Sequence, residues 1–181
     1  MAMASRRSGR PLPGEYADYA QADIDRVEGD DAVAVLETLA EETIAFFRGL
    51  PDEKLAGLRY APGKWTVKDV VAHLIDDERI VAYRALCVAR GETQPLPGFD
   101  ETLYAKHAAG EDRPWLGLLA EQSIVRAATL VLLRSLPPAA WTHVGTVNGY
   151  SATARGLAFH IAGHELHHLR VIRERYLPLL T

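Results

Sequence analysis

Every extended apolar pattern in this 181-residue chain repeats at the spacing of an α-helix, and each is stopped by a glycine or a proline. That regularity leaves little but a bundle of helices to build. Asp31 to Arg48 sets Val35, Leu36, Leu39, Thr43, Ile44 and Phe47 along one face, and Gly49 and Pro51 end the segment. A second helix is predicted from Thr66, a good N-cap with Asp69 at N3 and Trp65 placed to staple onto Val70; it runs to about Arg90, before Gly91. A third opens at Pro114 and is halted by Pro137 and Pro138, and a fourth covers Ala152 to about Tyr176 behind a Ser151 cap. Residues 91–114 form a long turn-rich connection between the second and third helices, with one short amphipathic piece near Glu101 to Ala109. Connections of that length often serve as lids or partner surfaces. The Asn148-Gly149 dipeptide in "THVGTVNGYSAT" is a hairpin signal, but too weak alone to predict strands. The expected fold is all-α, a four-helix bundle.

A chain of this length reads as one domain that buries roughly 70% of its unfolded surface, so no metal or disulfide is needed to hold it together. The net charge of -4 and the lack of a basic cluster argue against nucleic acid as a partner. Cys87 is the only cysteine, which fits a reducing, cytoplasmic setting. The first thirteen residues, "MAMASRRSGRPLP", carry positive charge with no apolar stretch behind them, so we read residues 1–13 as a mobile arm and 14–181 as the domain. The longest uncharged run, Ser135 to Ala154, holds two prolines and two glycines, and no membrane span is expected.

The segment "HIAGHELHHLR", His160 to Arg170, contains four of the seven histidines. On a helical wheel with His160 as origin, His164 and His168 fall at roughly 40° and 80°, inside the arc of Leu157, Ile161 and Ile172. His167 lies toward the opposite flank, and His160 at the edge of the arc. A lone histidine on an apolar face, such as His107 or His143, is ordinarily a satisfied structural residue. A pair at i and i+4 on that face is different, because the two imidazoles are neighbours and can hold one metal ion. His73, on the second helix beside the arc of Val67, Val70, Leu74, Val81 and Val88, is the best third ligand. Asp77 points nearly the same way, and Arg84 continues the stripe, although solvated charges at a bundle edge would look the same in sequence.

Read literally, the segment also spells H-E-x-x-H, the zinc-protease string. The extended pattern fails: Val171 stands where a glycine is needed and Glu174 where a further histidine is needed. Thirteen residues after His168 leave no room for a distant carboxylate ligand. Metalloprotease activity is a minor alternative.

The stretch "YAPGKWTVKDVVAHLIDDERIVAYRALCVARGETQPLPGF", followed by "GHELHHLRVIRERY", resembles the DinB superfamily, in particular its YfiT-like branch of proposed metal-dependent enzymes. The likeness spans roughly residues 15–176 and rests on the GKW-S/T helix opening, the H-L-x-D-x-E-R segment and the terminal G-H-x-x-H-H. It implies a four-helix bundle, often a homodimer, with a divalent metal held by three histidines. Carried onto this chain these are His73, His164 and His168. The family-like segment highlights Asp76, Glu78 and Arg79, whereas the wheel turns Asp77 inward and Asp76 to the flank, so both acids stand as candidates. His160 is held as a fourth or alternative ligand.

Three neutral histidines leave a vacant position on a zinc or nickel ion. The expectation is a metal-dependent enzyme acting on a small molecule, either a hydrolase or a thiol S-transferase using a low-molecular-weight thiol, as relatives of this kind do. Asp77 or Asp76 would act as general base or as partner of a ligating histidine. The rival is a non-catalytic, stress-related binding module whose metal only staples two helices, which closed coordination would favour.

Overall fold

The computed structural model describes residues 8–50 and 56–180. Its helices are α1 (Gln21–Arg26), α2 (Ala32–Arg48), α3 (Val67–Ala89), α4 (Glu101–Ala108), α5 (Trp115–Arg134) and α6 (Ala154–Val171), with a hairpin of β1 (Val144–Val147) and β2 (Tyr150–Thr153). Helices α2, α3, α5 and α6 make the expected bundle: α3 packs on α5 and α6, and α2 closes the other side against the same two.

α2 and α3 both begin at side-chain caps, α3 at the predicted Thr66. Asp31 accepts from the Val33 and Ala34 amides, and Thr66 and Asp69 form a full capping box at the head of α3. Gly91 follows α3 with φ of +80°, the left-handed geometry a glycine tolerates. Pro51, read as a helix stop, lies outside the described residues.

The last helix differs from expectation. Asn148 and Gly149 take φ of 52° and 80°, the paired positive values of a type I′ turn, so residues 144–153 form a real antiparallel hairpin and Ser151 lies in a strand. The cap is Thr153, whose hydroxyl accepts from the Gly156 amide, and α6 gives way to a π-turn over Ile172–Tyr176. The hairpin also holds the long connection, through Leu96 N–H to the Thr146 carbonyl and Asn148 N–H to the Leu96 carbonyl, both 2.9 Å. At its other end Gly110 lies on the α3 backbone, where a Cβ would come within 2.9 Å of Asp69 Cα, and the Glu111 amide donates to Asp69.

From Ser8 onward the expected mobile arm is pinned. The Ser8 hydroxyl accepts from the Ala32 amide, and Arg10 donates to the carbonyls of Ile24, Val27 and Gly29 while lying over the Phe159 ring. The following segment presses against α6 at two glycines. A Cβ at Gly156 would overlap the Glu15 carbonyl, and one at Gly163 the Asp23 carbonyl. α5 is long and apolar enough to cross a membrane by composition, yet its inward face is part of the bundle core and carries a buried arginine.

That residue, Arg126, joins all four bundle helices. Its guanidinium donates to both carboxylate oxygens of Glu78 on α3 at 2.8 Å, to Glu165 on α6 and to the Leu36 carbonyl on α2, and Thr43 of α2 donates to the same Glu165. All three charged groups are 2% exposed. Burial pushes the Glu165 carboxyl up, against the pull of Arg126. Removing the cation would leave two carboxylates in the core without a counter-charge. Arg126→Met is therefore expected to lose about 3–5 kcal/mol in urea unfolding at neutral pH, whereas an exposed pair such as Arg134–Glu37 should be worth about 1 kcal/mol or less.

Candidate metal centre

His73 comes from the second turn of α3, and His164 and His168 from adjacent turns of α6, where the two helices pack directly. The three Nε2 atoms converge: His164 Nε2 is 3.2 Å from that of His73 and 2.8 Å from that of His168. All three lie within 4.8 Å of one another. Trp65, which sequence suggested as a staple, lies over this cluster, with ring centroids 4.9 Å from His73 and 6.5 Å from His168.

Asp77 sets the chemistry of the group. Its Oδ2 is 2.9 Å from His164 Nδ1, so a neutral His164 carries its proton on Nδ1, donates it to Asp77 and leaves the Nε2 lone pair for the cluster. Burial acts to raise the Asp77 carboxyl, but contact with His164 overrides it and holds the group well below the usual range. For His164 burial acts downward and Asp77 reverses it, giving a raised pKa. Burial, then the charge on a protonated His164, pushes His73 down to about 4 and His168 to about 2. Two imidazoles are thus held neutral and the third is oriented.

This donor set fits a divalent ion. Tetrahedral zinc with Zn–N bonds of about 2.0–2.1 Å separates its nitrogens by about 3.3 Å, close to the 3.2 Å between His73 and His164. The 2.8 Å pair would have to open slightly. Three converging lone pairs with a buried carboxylate behind one ligand are otherwise poorly compensated.

The other candidates separate clearly. Asp76 is half-buried on the flank, with Arg79 at 3.9 Å, and among the described residues the acid bonded to one of the three histidines is Asp77. His160 stacks on His164 at 5.5 Å, and its Nδ1 is 3.6 Å from Asp23. It forms a second group with Asp77 and His164, but on the side where His164 already spends its proton on Asp77. Glu165, the acid of the H-E-x-x-H string, is bound to Arg126 and Thr43 and cannot serve a metal-bound substrate. Arg84 is no solvated rim charge: it is 7% exposed, donates to the Pro97 carbonyl at 2.6 Å and lies over Phe99. Sequence reading missed a cavity of about 360 Å³ that reaches His168, lined by Trp65, Lys64, Tyr60, Thr102 and Tyr176 among others. Its one visible signal was the GKW string.

Residues 35–172 match the sequence profile of the DinB superfamily. Among solved structures, the fold is similar to that of YfiT from Bacillus subtilis, described as a probable metal-dependent hydrolase with an unusual four-helix bundle topology. The TM-score is 0.71 at 21% identity, over 92% of this chain and 91% of that one. Comparison with curated protein sequences returns no match.

The depressed histidines have a consequence for stability. Below about pH 6.5 the unfolded chain protonates His73 and His168 while the folded chain does not, so folding stability falls as pH drops toward the folded values. The raised pKa of His164 acts oppositely and offsets part of this. Metal-free protein should lose on the order of 2 kcal/mol between pH 7 and pH 5 in denaturant titrations, and a His73→Gln, His168→Gln double variant should lose much less.

Proposed function

The chain belongs to the DinB superfamily, and from that premise we propose that it is a metal-dependent enzyme acting on a small molecule, as a hydrolase or a thiol S-transferase. The observation that carries this reading is the convergence of His73, His164 and His168 with Asp77 hydrogen-bonded behind His164. The name given to YfiT, a probable metal-dependent hydrolase, supports the hydrolytic form. Zinc and nickel both suit an all-imidazole site. Such an ion supplies Lewis acidity, acidifying a coordinated water or holding a thiolate.

The chain's own residues prepare that chemistry. Asp77 fixes the His164 tautomer and orients its ring, which raises the basicity of the coordinating nitrogen. Trp65 covers His73 and shields that side of the cluster from water. With three neutral ligands, an ion there would keep positive charge beyond what the Asp77 carboxylate behind His164 balances, and anionic nucleophiles or substrates would be drawn to it. The adjoining cavity has the size of a small-molecule site.

Metal analysis of purified protein tests the reading. We expect about one divalent ion per chain, lost in His73→Ala and His168→Ala, weakened about 10–100-fold by Asp77→Asn, and retained in His160→Ala. Retention in His73→Ala with loss in His160→Ala would overturn the ligand set.

We also propose a homodimer. Ile124 and Val131 of α5 and Tyr83 of α3 are each more than half exposed, and the apolar groove between these helices is lined by Ala82, Leu86, Ala128 and Leu132. A second copy of the chain would cover it. Sedimentation at micromolar concentration should show a dimer that Ile124→Glu dissociates, and a monomeric wild type would remove the proposal.

A further inference from the structure

The GKW string at the head of α3 supplies no metal ligand, yet the fold holds it rigidly at the edge of the metal centre. Ala61 to Lys64 form a tight turn: the Lys64 amide donates to the Ala61 carbonyl at 3.2 Å, Pro62 takes the first central position and Gly63 the second, with φ of +73°. This is the arrangement of a type II turn. Immediately after it, the Tyr176 hydroxyl donates to the Trp65 carbonyl at 2.6 Å, and Thr66 enters the capping box. The Lys64 backbone is therefore fixed on both sides.

The lysine lines the cavity that reaches His168. Three aromatic rings give that cavity an apolar wall: Trp65, Tyr60 and Tyr176, the last two edge-to-face at 5.0 Å. Thr102 adds a hydroxyl, and no carboxylate is among the lining residues. On its other side Lys64 borders a cavity lined also by Asp69, Glu111, Asp112 and Lys106, where most of the charges have partners. Arg59 pairs with Glu111, Lys68 donates to the Glu111 carbonyl, and Asp69 accepts from Thr66 and from the Glu111 amide. Among the described residues Lys64 makes no ion pair.

We infer that Lys64 is a specificity-determining residue, holding the carboxylate of a small organic acid whose apolar body lies against Trp65, Tyr60 and Tyr176. The inference rests on the metal-centre reading for its catalytic meaning, but the anion site can be measured without the metal. A single ammonium at contact distance near a protein surface favours an anion over its neutral isostere by about fivefold to tenfold.

Calorimetric titration with benzoate and with benzamide, its neutral isostere, tests this on metal-loaded and chelator-treated protein. Wild type should bind benzoate about tenfold more tightly than benzamide in both forms. In chelator-treated Lys64→Gln the two probes should bind equally, while Lys68→Gln, whose ammonium is turned to the Glu111 carbonyl, should keep the preference. Equal binding of both probes by wild type, no saturable binding of either, or a preference that survives Lys64→Gln in the chelated protein overturns the inference. The metal reading fails separately: if the protein as purified takes up no divalent ion, a Lys64-dependent preference keeps the anion site and only the metal is removed.

Discussion

One buried guanidinium sets the geometry on which the rest of this bundle depends. Arg126 reaches Leu36 on α2, Glu78 on α3 and Glu165 on α6 from its own position on α5, so a single planar fork is bonded to every helix of the bundle. Taking such charges out of water costs several kcal/mol per ion, and their attraction repays it only when the geometry is good. The cluster therefore acts more as a register than as a source of stability. A rotation of any one helix would separate charges that have no water to turn to. Because Glu165 adjoins His164 in sequence, fixing Glu165 toward α5 also fixes the phase of α6 and turns His164 and His168 toward α3.

The metal centre uses the other consequence of that phase. His73 and Asp77 lie one turn apart on α3, and His164 and His168 one turn apart on α6, so each helix contributes a pair that meets the other across one contact. The Asp77–His164 hydrogen bond then decides a question distance alone leaves open, namely which nitrogen of His164 is free. A hydrogen bond to Nδ1 reserves Nε2 for the site, and the raised His164 and lowered His73 and His168 follow from the same contact and from burial. Orientation, protonation and the convergence of the three nitrogens are thus one arrangement rather than three.

What was legible in sequence was whatever local chemistry controls. The start of α3 could be read from Thr66 because a cap bonds to amides two or three residues away, and that of α2 from where its apolar period begins at Asp31. Wheels turned His73, Asp77, His164 and His168 toward the bundle interior, as the structure has them, because helical phase carries over many turns; they turned Asp76 to the flank on the same ground, while the family-like segment kept both acids as candidates. The misses are long-range. Ser8 and Arg10 dock on backbone groups of residues 24–32, outside any helical period, while the approach of Glu15 to Gly156 and of Asp23 to Gly163 joins residues about 140 positions apart and rests on the absence of a side chain; no periodic pattern records either. The hairpin was signalled only by Asn148-Gly149, so the apolar run behind it was assigned two residues too many. Nothing in the sequence singled out Arg126, because its partners lie on helices distant in sequence.

The H-E-x-x-H string shows why spacing needs a packing context before it carries chemistry. Neighbouring residues on a helix point about 100° apart. Where a helix lines an open cleft, a glutamate beside a ligating histidine can still reach a water on the metal. In a four-helix bundle the same angle turns it toward the next helix, and here that direction leads to Arg126. A carboxylate that accepts from Arg126 and Thr43 in a closed core has no freedom to receive a proton from a substrate. The acid that accompanies the histidines had to come from α3, the helix they face, and Asp77 meets that condition because it sits one turn from His73 on the side that α6 covers. One helix supplying a histidine pair and the facing helix a histidine and an acid is how a bundle brings together groups that the H-E-x-x-H string of a protease carries on a single helix.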